Sequence, residues 1–322
     1  MHESNFNTTI KRVTLKFGAD ATYFASDAGS AALTVNIAIP AVCLSGDEEI
    51  IARCDTGASL APSGDPRIKL LNFADQRVAI AIAPIKDGLA ATTESLYKRL
   101  FQLFDGRQVY RFWNYVPDIN QIHDDQENYW RFNAGRHTAY RAHYGDDCEA
   151  MMPAASAVGC SGDSLVIVAI GGTHPVTHFE NPRQVPSYRY PQTYGPKPPS
   201  FARGTVVWTD HQQTTPHSVI LSGTSSIVGH QTIGQESITE QIAVTIENMR
   251  IVIDQMNVAS GSDESTPLPD HAEFKIYLRY PEHADEALAA LTKTFAVNPS
   301  RVVILESAIC RPDLDVEMEG RW

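Results

Sequence analysis

The sequence predicts an α+β fold in which sheets carry helices packed on one face and the unit occurs twice in one chain. Three observations carry this. The C-terminal third reads in the order β-β-α-β-α-β-β, and the N-terminal half runs strand, helix, strand in a looser version of that order. The chain has 322 residues, 43% hydrophobic and 20% charged, the balance of a globular protein with length for a real core. No residue-level repeat links the halves, so the doubling rests on element order alone.

In the N-terminal half, strands are expected at Val13 to Phe17, Val78 to Ile85 and Val109 to Tyr115. Asp124 and Glu127 stand at capping-box spacing before an amphipathic helix over Gln126 to Tyr144. The apolar run Ser164 to Ile170 reads as a buried strand. Thr173 to Arg203 is rich in Pro and Tyr, which marks an ordered loop rather than a linker. Beyond it, Gly204 to Asp210 and Ser218 to Ser222 are β-branched strands. A turn over Ser222 to Gly234 leads to a helix capped by Ser237 and Glu240. Ile238, Ile242, Ile246, Met249, Ile253 and Met256 step along one buried face of that helix. After a polar loop, Gly261 to Asp270, the alternation of Phe274, Ile276, Leu278 and Tyr280 gives a half-buried strand. Asp285 to Thr294 follows as a helix, and Arg301 to Ile309 and Leu314 to Glu319 as strands. The expected units are therefore 1–172, a lining segment 173–203, and 204–322.

Charge and cysteine content exclude several function classes. The formal net charge is -12, against a nucleic-acid partner, which would need a basic stripe. No apolar run reaches 18 residues, so no membrane span is expected. The first residues hold no apolar secretion core, and the five cysteines are scattered without a C-x-x-C pair. Reduced thiols and a cytoplasmic location are the expectation. His174 and His178 are four apart, but the intervening Pro175 argues against a helix aligning them, so no metal is expected.

Asp55-Thr56-Gly57 matches the aspartic-protease triplet but has no second copy, and a turn is the expected reading. Asn181 to Arg203 is more informative. It holds Arg183, Arg189, Lys197 and Arg203 without an acidic residue, interleaved with Tyr188, Tyr190 and Tyr194. Guanidinium forks and tyrosine hydroxyls suit a small ring dicarboxylate, although a solvated loop has the same composition. Leu221 to His230 runs from strand into a Gly/Ser/Thr turn that can present N–H groups to an anion or be a turn only. Glu317 and Glu319 share one side of the last strand, with Val316 and Met318 facing the core. That leaves the glutamates as exposed edge charges, or as acids in a cleft.

Four blocks, Tyr129 to Gly145, Asn181 to Arg203, Ser222 to His230 and Cys310 to Glu319, resemble the chorismatase family, the similarity spanning roughly residues 108 to 319. The C-terminal third is also similar to the RidA-like (YjgF) fold, trimeric in its small members; a doubled chain fits a monomer or a homo-oligomer. The resemblance implies a cofactor-free enzyme taking pyruvate from chorismate. It makes Glu317 the acid that protonates the enolpyruvyl methylene, with Cys310 also in the catalytic set. Arg136, Tyr188, Tyr194 and Arg203 would hold the substrate, and Gly223, Thr224 and Ser225 would line the opposite wall. Family members release 3-hydroxybenzoate, hydroxybenzoate mixtures or a dihydroxy-dihydrobenzoate. Cys310 resembles the hydroxybenzoate-forming groups, while Ser225 stands where Ala or Gly is expected. The alternatives are a RidA-like enamine or imine deaminase and a non-catalytic small-anion binding protein.

Overall fold

The computed structural model describes residues 10–18, 22–27, 33–39, 42–46, 48–264 and 266–322. In chain order the strands begin with β1 (Ile10–Phe17), β2 (Thr22–Asp27), β3 (Leu33–Ile39), β4 (Val42–Ser45) and β5 (Glu48–Ala61). Then come β6 (Ile68–Asn72), β7 (Gln76–Pro84), helix α1 (Leu89–Leu103) and β8 (Gln108–Pro117). A small hairpin, β9 (Ile122–His123) with β10 (Gln126–Glu127), precedes α2 (Asn128–Tyr144), β11 (Ala154–Cys160) and β12 (Ser164–Gly172). The second half holds β13 (Val176–Phe179), β14 (Gly204–Trp208), β15 (Pro216–Ser225) and the hairpin β16 (Ile227–Val228) with β17 (Gln231–Thr232). It closes with α3 (Ile238–Ala259), β18 (Glu273–Leu278), α4 (Ala284–Phe295), β19 (Val302–Glu306) and β20 (Val316–Arg321).

The doubling expected from element order is present in the sheets. The first sheet contains the run β6-β7-β12-β8-β11 and the second the run β14-β15-β20-β18-β19. Each run uses its strands in the same chain order, places its two helices at the same steps, and has one parallel pair, β8 with β11 or β18 with β19. β5, β1, β3 and β2 extend the first sheet, while β4 and β13 edge the second.

Alternation along the strands builds four layers. In β12, Leu165, Ile167 and Ala169 face α1 and α2, while Val166, Val168 and Ile170 face the other sheet. In the second sheet Phe274, Ile276, Val316 and Met318 pack under α3 and α4, whereas Tyr277 and Leu305 join the core between the sheets. The order is helices, sheet, sheet, helices, and the two sheet faces enclose the middle of the molecule.

Several local expectations are corrected. The Asp55-Thr56-Gly57 segment lies within the fourteen-residue strand β5, not a turn, in the stretch between Arg53 and Ala58 where the register with β1 shifts. Asp124 does not cap α2: the cap residue is Glu127, with no side-chain cap bond, and its carboxylate accepts from Asn120 Nδ2 at 2.8 Å instead. Ser237 does cap α3, accepting from Glu240 N at 3.2 Å. Glu317 and Glu319 are not on an exposed edge. β20 lies between β15 and β18, and both glutamates are buried against the first sheet. Among the described residues no helix is long and apolar enough to cross a membrane.

Candidate active site

β20 carries Glu317 and Glu319 on the face that meets the first sheet, and the two carboxyl groups are treated very differently. Glu319 is ringed by donors: Arg111 Nη2 at 2.6 Å, Trp113 Nε1 at 2.8 Å, Lys275 Nζ at 3.1 Å and Tyr277 OH at 3.2 Å. Burial alone would raise its pKa, but the Arg111 and Lys275 charges prevail and hold it well below the usual carboxylate range. Glu317, two residues earlier, has Ser225 Oγ at 3.4 Å on Oε2 and no hydrogen-bond partner on Oε1. Burial first, and then the negative charge of Glu319, push its pKa up to about 8. One strand thus holds an ionised carboxylate and a neutral carboxylic acid side by side, the separation that assigns acid and charge roles in carboxylate sites.

Gly223 makes room for the acid. A Cβ built there would lie 2.0 Å from Glu317 Oε1 and 3.1 Å from Ser156 Cβ. Only glycine lets β15 run this close to the carboxyl group.

Glu317 opens into a cavity of about 360 Å³ lined by groups from both halves of the chain. Three arginines reach it. Arg136 on α2 is buried over the Phe132 ring, donates from Nη2 to Asn133 Oδ1 at 2.9 Å, and has no partner on Nε. Arg203 donates to Tyr190 OH at 2.7 Å, while its Nε makes no hydrogen bond and lies 4.0 Å from Glu180 Oε2. Arg311 lies flat on the Tyr194 ring, 3.8 Å from its centroid, donates to His230 O at 2.8 Å, and leaves Nη2 unmatched. Buried guanidinium N–H groups without acceptors are costly in a finished core and are the donors a carboxylate ligand would take. Tyr129, Trp130 and Phe201 supply apolar walls. Cys310 completes the floor; burial, then the nearby Glu317 charge, push its thiol up to about 12, so it is present as the protonated thiol.

Tyr190 also lines this cavity, whereas Arg183, Arg189 and Lys197 of the same segment do not. Of the nine site residues that the resemblance implies, Arg136, Tyr194, Arg203, Gly223, Ser225, Cys310 and Glu317 line it. Two do not. Tyr188 lines a different cavity, beside His178 and Glu180. Thr224 points to the other side of β15 from its neighbours, and its hydroxyl donates to Ser222 O at 2.9 Å. Sequence reasoning missed Arg311 and Ser156. Arg311 follows Cys310 directly, and its position next to a singled-out residue was the available signal. Ser156 sits in a small-residue strand, Ala154–Cys160, and gave none.

Fold and site together define a class: a doubled α+β enzyme with a neutral carboxylic acid between its sheets, in an arginine-lined cavity. Residues 72–171 match the sequence model of a family described as chorismatase FkbO/Hyg5-like, N-terminal. A 3-hydroxybenzoate synthase of Streptomyces hygroscopicus is 32% identical over 239 residues, 71% of this chain and 68% of that protein. A chorismatase of Streptomyces rapamycinicus is 34% identical over 258 residues, covering 76% and 74%. The crystal structure of a chorismatase aligns with all of this chain and 95% of its own, at TM-score 0.81 and 26% identity. The chain belongs to the chorismatase family.

Proposed function

We propose that this enzyme converts chorismate to pyruvate and a hydroxybenzoate, 3-hydroxybenzoate favoured and 4-hydroxybenzoate second, with Glu317 as the acid. The observation that carries the reading is the fully buried Glu317, its pKa pushed up to about 8, in a cavity lined by Arg136, Arg203 and Arg311, of which Arg136 and Arg311 each leave a donor unmatched. Chorismate brings two carboxylates and a ring, which Arg136, Arg203 and Arg311 with the aromatic walls suit in charge and shape.

Glu317 gives its proton to the vinyl CH₂ of the enolpyruvyl ether, leaving an oxocarbenium centre beside the pyruvyl carboxylate. As that cation forms, Glu317 becomes an anion and offsets it, while Glu319 stays ionised and holds Arg111 in place. The ring C–O bond of the ether then breaks, its oxygen leaving as the keto oxygen of pyruvate. For 3-hydroxybenzoate the neighbouring ring hydroxyl oxygen bridges to the vacated carbon, and loss of a ring C–H proton makes the ring aromatic. No net water is consumed, and the two products together have the composition of chorismate. General-acid catalysis of this kind is typically worth about 10²–10⁴-fold. Cys310, as a neutral thiol against the reacting edge, shapes the wall and offers a weak donor. The name of the S. hygroscopicus relative supports the 3-hydroxybenzoate outcome.

Ser225 favours a second reading. Its hydroxyl, 3.4 Å from Glu317 Oε2, can seat a water. That water would add to the oxocarbenium centre, and the hemiketal would break to pyruvate and a dihydroxy-dihydrobenzoate, with one water consumed. Incubation with chorismate, following pyruvate release together with chromatography and mass of the ring product, tests both. Stoichiometric pyruvate with hydroxybenzoate, lost in Glu317→Gln, is expected. A dihydroxy-dihydrobenzoate selects the second reading, and no pyruvate above the enzyme-free rate overturns both.

A further inference from the structure

On the flank of the sandwich, away from the Glu317 cavity, three segments distant in sequence converge. They are the turn between β6 and β7, the residues after β12, and the first residues of β15. Asp75 Oδ2 lies 3.1 Å from His174 Nε2. The His174 and His217 rings stack with centroids 4.7 Å apart and planes 23° apart. One ligand atom from each of Asp75, His174 and His217 lies within 4.8 Å of the other two. The sequence pairs His174 with His178, but His178 turns away and meets Thr205 Oγ1 at 3.0 Å.

The cluster is held from behind. Thr173 N donates to Asp75 O at 3.2 Å and His174 N to Tyr110 OH at 2.9 Å. A Cβ on Gly172 would come within 2.3 Å of Asp75 O and 2.6 Å of Tyr110 OH, so glycine is what lets these backbones close up. His217 and Gln76 also line a cavity of about 290 Å³ that runs in beside Tyr110. None of these side chains lines the Glu317 cavity, and the proposed reaction uses none of them.

We propose that Asp75, His174 and His217 form a site for a borderline divalent cation of the zinc class, which pins the first sheet's hairpin to the second sheet. Two imidazoles and one carboxylate suit Zn²⁺ or Ni²⁺, whereas Mg²⁺ and Ca²⁺ require oxygen sets. Zinc–ligand bonds near 2.1 Å in a tetrahedron put ligand atoms about 3.4 Å apart. The Asp75–His174 separation already meets that spacing, and bringing His217 in is a side-chain adjustment. Gln76 Nε2 lies 2.9 Å from His217 Nε2; an amide turned over at the same position presents its oxygen as a fourth donor. A metal here closes a link between residues 75 and 217, on opposite sheets, and binding to the folded state alone stabilises it by mass action.

The test uses the full chain, stripped with a chelator and titrated calorimetrically with ZnCl₂. One zinc per chain with a micromolar dissociation constant is expected, with MgCl₂ giving no saturable heat. At a hundredfold excess over that constant, Tm should rise by roughly 5 °C. Asp75→Asn and His217→Ala should each weaken zinc binding by about 10²-fold. Both should still release pyruvate from chorismate at the parent rate, which verifies their folding; Asp75→Asn is nearly isosteric and serves if His217→Ala does not fold. Absence of a one-to-one zinc site overturns the proposal, as does affinity unchanged in the variants.

Discussion

At the scale of single residues, the protonation of Glu317 makes the sharpest predictions. Glu317→Gln keeps the shape and removes the proton, so kcat for pyruvate release should fall by about 10²–10⁴-fold with KM little changed. The parent's activity should hold below pH 7 and decline as pH rises through about 8, where the acid ionises. Stability follows the same group with a definite sign. Its folded-state pKa is raised from 4.5, so the native protein keeps a proton that the unfolded chain has released. The contribution is present below pH 4.5 and lost as pH climbs to about 8, a change on the order of a few kcal/mol. Thermal unfolding of Glu317→Gln should therefore depend less on pH across that window, and parallel Tm-versus-pH curves would contradict the assignment. Gly223→Ala asks whether position matters as much as charge. Its Cβ would displace Oε1, and a displacement of that size should cost about 10²-fold in kcat with Tm nearly kept. Arg311→Ala removes the guanidinium from the Tyr194 face. By analogy with truncated charge pairs the loss is about 2–5 kcal/mol, read as a fall in kcat/KM on chorismate.

At the scale of elements, the second unit was far more legible in the sequence than the first. The helix α3 announces itself through Ser237 and a long apolar stripe, and both are present as read. By contrast α1 begins after Gly88, has no side-chain cap and no acidic residue in its first turn, so nothing local marked its start. Asp124 and Glu127 gave a false signal, since spacing cannot tell whether Glu127 will turn toward the helix or toward Asn120. The period of β20 was readable but its faces were not. Val316 and Met318 do face a core, yet a second sheet covers the glutamates, and no local pattern encodes a partner more than a hundred residues away. Gly135 yields the prediction at this scale. A Cβ there would lie 2.2 Å from Ala90 O on α1, so the two helices touch at this point. Gly135→Ala should cost about 1–3 kcal/mol by forcing α2 outward. Because Arg136 is the next residue, KM for chorismate should rise as well. A lowered Tm with unchanged KM would detach the helix contact from the site.

At the scale of the whole molecule, the packing of sheet on sheet is what makes a buried charge next to a buried acid sustainable. Arg111 from the first sheet reaches Glu319 on the second at 2.6 Å and Leu221 O at 2.6 Å, while Lys275 adds Glu49 at 2.5 Å. These groups seal the interface beneath Glu317 and fix a negative charge where it opposes ionisation of the acid. Glu319→Gln tests both roles together. It leaves Arg111 without its counter-charge and Lys275 with Glu49 alone in a buried interface, for which about 3–5 kcal/mol of stability should be lost. It also removes the carboxylate that raises the Glu317 pKa and leaves the Arg111 charge uncompensated, and both changes favour the ionised form of Glu317. The alkaline fall in activity should therefore begin at lower pH than in the parent, with kcat reduced at pH 7.5 and largely recovered at pH 5.5. Measured at a temperature well below the variant's Tm, an alkaline limb that stays where the parent's lies would show that burial alone keeps the proton on Glu317.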